Sequence, residues 1–282
     1  MIKLKCTLLP NLSHERFVFS GGEVQVKLKN FERLDLDNQE DIIDIYAHLT
    51  SSDDVMELCL LTNALRNAFG PRVFLNLIMP YIPYARQDRI MTEGESLAIN
   101  VFANIINSLN FYYVEVWDAH SDVSVALLNN CHNKSIEDLL PEEAYSRDTV
   151  LVAPDAGAIK KVQKLSQKLK LPFVHATKIR DVKDGGITGT KVYSNHIGNK
   201  NFLIVDDICD GGRTFVELAK ELRPLTNGHI SLYVTHGIFS KGLGVFNGLI
   251  DNVYSRLSFP FPNAQSGEYN GYYLRGEIDE AS

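Results

Sequence analysis

The 282-residue chain lacks most of the features that classify a protein at a glance. It has only four cysteines, Cys6, Cys59, Cys131 and Cys209, spread far apart with no CxxC spacing. Such usage gives no disulfide framework and predicts reduced, buried or incidental thiols in a cytosol-like compartment. No segment approaches the roughly 18 consecutive apolar residues of a membrane span. The opening MIKLKCTLLPNL carries two lysines but no long apolar stretch, so it does not read as a signal peptide. A cytoplasmic protein with no membrane partner is expected. Positive charge is also in short supply. Lys and Arg number 28 against 35 Asp and Glu, for a net charge of -7 and a pI near 5.6. Nucleic-acid binding, which favours a basic surface, is therefore not expected. Neither the GxxxxGK(S/T) phosphate loop nor the dinucleotide GxGxxG is present, and no short tandem repeat or low-complexity tract is visible.

What is present is a chain with 45% hydrophobic and 22% charged residues, enough to bury a core as one large domain or two ordinary ones. Short runs rich in β-branched and aromatic residues predict buried strands at Arg72–Ile78, Tyr112–Trp117, Thr149–Ala153, Phe202–Asp206 and His229–Thr235. Helical spacing fills the gaps. Leu58, Leu61, Leu65 and Ala68 share a face over Asp54–Phe69. Ala98, Phe102, Ile105 and Leu109 do so over Ser96–Leu109, and Ile159, Val162, Leu165 and Leu169 over Ala156–Leu169. A further helix over Thr214–Leu222 is stopped by Pro224. Strands alternating with amphipathic helices predict an α/β fold of parallel sheets covered on both faces. The polar stretch from Asn129 to Arg147 predicts a division into 1–137 and 138–282, the tail from about 260 having no clear helix. Each half has a strand ending in acids, Trp117-Asp118 and Val205-Asp206-Asp207, at the edge where open parallel sheets bind ligands.

The richest stretch is VDDICDGGRT, Val205 to Thr214. An apolar run delivers Asp206 and Asp207 to a strand end. Asp210-Gly211-Gly212 then makes a tight turn, and Arg213-Thr214 opens a helix. This corner gathers backbone N–H groups into a concavity where the helix dipole favours an anion, and glycine lets the backbone approach a phosphate closely. Thr214 adds a hydroxyl and Arg213 a charge. The carboxylates accept hydrogen bonds from vicinal sugar hydroxyls, or hold magnesium through water. A capped strand–helix loop with solvated acids would look the same locally, so the stretch alone leaves both readings open.

VDDICDGGRT resembles the phosphoribosyl-diphosphate (PRPP) loop of type I phosphoribosyltransferases and PRPP synthetases. MPYIPYARQDR, Met79 to Arg89, read by itself as a surface salt-bridge cluster, is similar to the PYxPYARQDR signature of the synthetases. WDAHSD, VLVAPDAGAIKK, HATKIRD, FSGGE and THGIFS resemble further synthetase motifs in the expected order. The likeness covers about Phe19 to Ser240. Departures from the pattern are Val123 for a Gln, Gly21 for Asp or Asn, Ala158 for a Gly, Lys161 for Arg, and Gly211-Gly212-Arg213 where Thr, a small residue and Gly are usual.

The resemblance to the PRPP synthetase family implies two type I phosphoribosyltransferase-like domains, each a mostly parallel sheet flanked by helices. It implies transfer of the diphosphoryl group of Mg-ATP to ribose 5-phosphate. ATP would be bound by Phe19, Glu23, Arg86, Gln87 and Asp88. Asp206, Asp207, Asp210, Gly211, Gly212, Arg213 and Thr214 would hold ribose 5-phosphate. His120 and Asp155 would serve Mg²⁺, and Lys178 and Arg180 would be the catalytic cations. The glycine-rich DVKDGGITGTKV that follows would be a mobile lid. Phe19 and Glu23 would reach a neighbouring subunit's nucleotide, implying a homo-oligomer with the ATP site at a subunit interface. A phosphoribosyltransferase consuming PRPP and a non-catalytic regulatory relative of the synthetases remain as alternatives.

Overall fold

A computed structural model of the chain describes residues 1–32, 42–180, 187–192, 198–259 and 272–274; for 177–180, 187–191 and 272–274 only the backbone path is described. The chain forms two compact units, Met1–Lys134 and Ser135–Ser282.

The first unit runs β1 (Ile2–Cys6), β2 (Ser13–Val18), β3 (Val24–Lys29), β4 (Ile43–Ala47), α1 (Ser52–Phe69), β5 (Leu75–Ile78), α2 (Ala98–Ser108), β6 (Tyr113–Trp117), α3 (Asp122–Leu127) and β7 (Cys131–Lys134). Its sheet has the order β1-β4-β5-β6-β7, parallel except for antiparallel β1. β2 and β3 form a separate hairpin. The 18-residue α1 begins with a capping box: Ser51 accepts from the Asp54 N–H, and the Asp54 carboxylate accepts from the Ser51 N–H. Leu58, Leu61 and Leu65 are fully buried, as the spacing predicts. Truncating any one to alanine would cost about 2–5 kcal/mol. The predicted face of α2 is turned in the structure. Ile105 is 38% exposed, and the buried side is Ile99, Phe102, Ala103 and Ile106. Val101 and Ile105 extend the apolar band past the buried side, while Asn100 and Asn104 mark the exposed one.

The second unit runs α4 (Ile136–Leu139), β8 (Thr149–Ala153), α5 (Ile159–Leu169), β9 (Phe173–Arg180), β10 (Ile187–Val192), β11 (Asn201–Cys209), α6 (Arg213–Leu222), β12 (Ile230–Gly237), β13 (Asn252–Ser258) and β14 (Tyr272–Leu274). Its sheet order is β10-β9-β8-β11-β12-β13-β14, and only β10 is antiparallel to its neighbour. Period-two alternation sorts the central strands onto two apolar layers. Val150, Val152, Phe202, Ile204, Leu232 and Val234 face one core, and Leu151, Ala153, Leu203, Val205 and Tyr233 face the other. Both faces are therefore covered, which is why these strands read as unbroken hydrophobic runs.

Two sequence expectations change. β11 continues past Asp206 and Asp207 to Cys209, so the acids lie inside the strand rather than at its tip. Of the expected lid, Ile187–Val192 is strand β10, paired with β9, as its alternation of β-branched residues allows; residues 181–186 lie outside the described residues. In the tail, the one described element is β14, parallel to β13.

Candidate functional site

In the second unit the chemistry gathers at the C-terminal ends of β8 and β11. These strands pair in parallel only from Asn201↔Thr149 to Ile204↔Val152. β8 stops at Ala153 while β11 runs on to Cys209, so the acids of β11 project beyond their neighbour on that side. The two strands also flank the point where the sheet order reverses, since β9 lies outside β8 and β12 outside β11. Open parallel sheets present their ligand crevice at such a point.

Asp207 is buried and Asp206 half-buried. The Asp207 N–H donates to Asp206 Oδ1 at 3.0 Å. Burial, and then the neighbouring Asp207 carboxylate, push the Asp206 carboxyl well above the ordinary range. Lys161, from the first turns of α5, brings Nζ to 3.8 Å from Asp207 Oδ1 and opposes that rise. The turn before α5 is held by Asp155, whose Oδ1 accepts from the N–H groups of Gly157 (3.0 Å) and Ala158 (3.3 Å).

Beyond β11 the chain turns through Asp210 and Gly211 into α6. Gly212 has φ +75, the left-handed region that glycine adopts without cost. A Cβ at Gly212 would lie 2.8 Å from Phe246 Cζ. Gly212 N-caps α6 without a side-chain hydrogen bond, and its carbonyl accepts from Phe215 and Val216. Among the described residues no acceptor meets the backbone N–H groups of Gly211, Arg213 and Thr214, which leaves a positive helix end open to an anion. The Asp210 carboxylate accepts from Ser240 Oγ at 2.6 Å. The Arg213 side chain leaves the turn: it is 85% exposed, and its Nε donates to Glu217 Oε1 at 2.8 Å. Cys209, directly behind the loop, is buried, and burial pushes its thiol up to about 12.

In the first unit the corresponding edge carries Arg86, Gln87, Asp88 and His120. The loop after β5 is pinned by the Met79 N–H to the Glu115 carbonyl and by the Trp117 N–H to the Pro80 carbonyl. Tyr84 turns in the left-handed region, φ +64, and the Gln87 N–H donates back to its carbonyl. Arg86 and Gln87 are exposed. Asp88 accepts from Arg89 Nε (2.8 Å) and from Ser121 Oγ (2.7 Å). The Arg89 guanidinium first, then the Ser121 hydroxyl, hold its carboxyl down to about 2, and His120 adds in the same direction. The Ser121 hydroxyl also accepts from the Val123 N–H and so caps α3. Asp118, buried with φ +41, donates its N–H to the Lys134 carbonyl.

Phe19 and Glu23 sit at the tip of the β2–β3 hairpin, closed by the Phe19 N–H to the Glu23 carbonyl and the Gly22 N–H to the Phe19 carbonyl. Phe17, Val18 and Phe19 are all exposed there, with the Phe17 and Phe19 rings edge to face at 5.3 Å. A Cβ at Gly21 would lie 2.5 Å from Glu23 Oε2, so the carboxylate occupies space that a larger residue would fill. The hairpin is tied to α1 through Arg16, which reaches Asp53, Asp54 and Glu57, and through His14 Nε2, 2.7 Å from Glu57 Oε1.

The structure thus groups Asp206, Asp207 and the Asp210–Thr214 turn in one unit, and Asp88 with His120 in the other. Lys178 and Arg180 lie on the last residues of β9, their side chains outside the described residues. Roles that sequence reasoning missed are those of Ser121 toward Asp88, Lys161 toward Asp207 and Ser240 toward Asp210. Ser121, Lys161 and Ser240 each stand inside a quoted motif, and that proximity was the available signal.

The model of the N-terminal domain of ribose phosphate pyrophosphokinase matches residues 4–109, and that of the phosphoribosyl transferase domain matches 133–251. The chain is 31% identical over 238 residues to the ribose-phosphate pyrophosphokinase of Pyrococcus abyssi, covering 79% of this chain and 76% of the relative. It is 28% identical over 258 residues to that of Mycoplasma pneumoniae, covering 86% and 75%. The crystal structure of phosphoribosylpyrophosphate synthetase from Mycobacterium smegmatis matches with a TM-score of 0.70 at 19% identity, over 86% of this chain and 80% of that one. At that identity the match establishes the shared fold.

Proposed function

Since the chain belongs to the ribose-phosphate pyrophosphokinase family of enzymes, we propose that it transfers the β,γ-diphosphoryl group of ATP to the 1-hydroxyl of ribose 5-phosphate, giving PRPP and AMP. The observation that carries this reading is that the Asp206–Asp207 pair, near the end of β11 and beyond the end of β8, precedes the open first turn of α6. The turn suits the 5-phosphate, through the N–H groups of Gly211, Arg213 and Thr214. The acids suit the ribose hydroxyls.

The anomeric oxygen attacks the β-phosphorus, the bond from that phosphorus to the α,β-bridging oxygen breaks, AMP departs, and the hydroxyl proton passes to solvent. Such a reaction needs in-line positioning and charge stabilisation more than covalent chemistry. Arg86, Gln87 and Asp88 would position the triphosphate, and Phe19 and Glu23 the adenine of a neighbouring subunit's ATP. The exposed Phe17-Val18-Phe19 tip supports that homo-oligomeric arrangement. Lys178 and Arg180 would supply charge to the transferring group.

The donor set fits magnesium. Among the described residues no cluster of three or more His, Cys, Asp or Glu could cage a metal. Mg²⁺ characteristically keeps its waters and takes one or two carboxylates plus substrate phosphates. A carboxyl such as that of Asp206, whose ionisation is held back by burial and then by the neighbouring Asp207 charge, is a place where a cation substitutes for a proton. Asp206 and Asp207 would hold one such ion; His120 in the first unit and Asp155 in the second are each proposed as magnesium ligands on the family resemblance alone. When bound, Mg²⁺ neutralises the polyphosphate charge.

The test is incubation of the purified protein with ATP, Mg²⁺ and ribose 5-phosphate, quantifying AMP and PRPP. One-to-one products are expected. Product from PRPP and a base would identify a phosphoribosyltransferase instead, and no activity a regulatory relative. Lys178→Ala should lower kcat by roughly 10²–10³-fold with a smaller effect on ribose 5-phosphate affinity; near-wild-type turnover would remove Lys178 from catalysis.

A further inference from the structure

We propose that Lys241, on the loop after β12, is the cation that holds the 5-phosphate over the Asp210–Thr214 turn, in the place that Arg213 leaves. The proposal rests on the ribose 5-phosphate reading above and adds a positioning residue to it.

The turn's own arginine is committed elsewhere. Arg213 runs along the outside of α6 to Glu217, one helical turn on. Lys241 takes the opposite course. Its Cδ and Cε lie 3.5 Å, and its Cγ 3.7 Å, from the point where a Cβ on Gly211 would sit. Three successive methylenes therefore lie beside the glycine of the turn. Lysine stems pack in this way while the charged end stays accessible.

The backbone that carries Lys241 is fastened to the turn itself. The N–H groups of Ile238 and Phe239 both donate to the Cys209 carbonyl, at 2.8 and 3.0 Å. Phe239 is buried in the left-handed region, φ +46. The Gly242 N–H closes back on the Phe239 carbonyl at 2.7 Å. Ser240 Oγ donates to Asp210 Oδ1. The loop is thus tied to Cys209 and Asp210, the two residues that precede Gly211.

The ammonium at the end of that stem and the positive end of α6 both favour an anion. A phosphate satisfies both: it accepts from the open N–H groups and pairs with the ammonium, a charge-assisted contact. Lysine suits the role as a point charge that needs no planar fork. The glycine at 211 has a matching reason. A side chain larger than a methyl there would displace the Lys241 stem.

The experiment compares wild type, Lys241→Gln, Lys241→Arg and Arg213→Ala. Steady-state kinetics are measured with ATP and ribose 5-phosphate, and ribose 5-phosphate binding by calorimetry. Lys241→Gln should raise the KM and Kd for ribose 5-phosphate roughly tenfold, leaving the ATP KM within about twofold, as expected for loss of one charge-assisted contact to one substrate. Lys241→Arg should restore most of the affinity, which a merely structural role for the stem would not require. Unchanged ribose 5-phosphate KM and Kd in Lys241→Gln overturns the proposal, as does a larger rise for Arg213→Ala or a wild type that binds no ribose 5-phosphate. A wild type that binds ribose 5-phosphate but makes no PRPP overturns the proposed reaction, and the calorimetric comparison then judges Lys241 by itself.

Discussion

Replacing Gly212 with alanine should cost the second unit about 3 kcal/mol and spoil the phosphate turn, through two separable effects. The first is backbone strain. Gly212 has φ +75, and an L-residue in that region costs about 1 kcal/mol. The second is overlap. The new Cβ would stand 2.8 Å from Phe246 Cζ, 3.0 Å from Cε1 and 3.2 Å from Val245 Cγ2. Phe246 is fully buried and packs edge to face on buried Phe239 at 6.4 Å, so its ring has little room to retreat. Overpacking of this kind costs about 1–3 kcal/mol. Urea unfolding followed by far-UV circular dichroism reports both units, whereas fluorescence of Trp117, the single tryptophan, reports the first. A loss seen by dichroism and absent or smaller in Trp117 fluorescence places the damage in the second unit. The same change in a Phe246→Leu background should cost only about 1 kcal/mol, because the backbone strain remains and the overlap is relieved. Equal losses in the two backgrounds would refute the overlap, and no loss in either would refute the turn geometry. The KM for ribose 5-phosphate should rise in parallel with the overlap effect.

Two further outcomes test the first unit. Arg89→Ala should raise the Asp88 titration from about 2 toward the ordinary value more than Ser121→Ala does, as read by carboxyl NMR, and the reverse order would contradict the assigned causes. Because the folded value is lowered, ionised Asp88 stabilises the unit above about pH 4, and that contribution fades as pH falls toward 2. Gly21→Ala should displace the Glu23 carboxylate at a cost under about 0.5 kcal/mol, because the atom met is the end of a flexible side chain. On the proposed adenine role of Glu23 it should also raise the ATP KM roughly three- to tenfold. An unchanged ATP KM would detach Glu23 from the nucleotide.

Much of the fold was legible because its signal is local. Thr149–Ala153 is strand as expected, and the helices over α1, α5 and α6 lie where apolar spacing and Pro224 put them. β1 and β4 and the β2–β3 hairpin went unread. β1 (IKLKC), β3 (VQVKLK) and β4 (IDIYA) alternate apolar and polar residues, so their signal was local and was passed over; only the pairing of β1 with β4, distant in the chain, depends on the fold. The face of α2 went astray because Ile105 was counted with the core, although Asn100 and Asn104 mark that side as the exposed one.

The candidate site divides along the same line. Residue order alone determined the Asp206-Asp207 pair, the glycine turn and the helix that opens after it, because acids, left-handed glycines and a helix start are local chemistry. Only tertiary structure decided which cations attend them. Arg213, adjacent in sequence, pairs with Glu217 along its own helix, while Lys161 reaches Asp207 from α5 and the Lys241 stem lies beside Gly211 from the loop after β12. A long side chain has many rotamers of nearly equal local energy. The neighbours that select among them come from strands and loops brought together by the sheet, so their choice is not written at any one position of the chain.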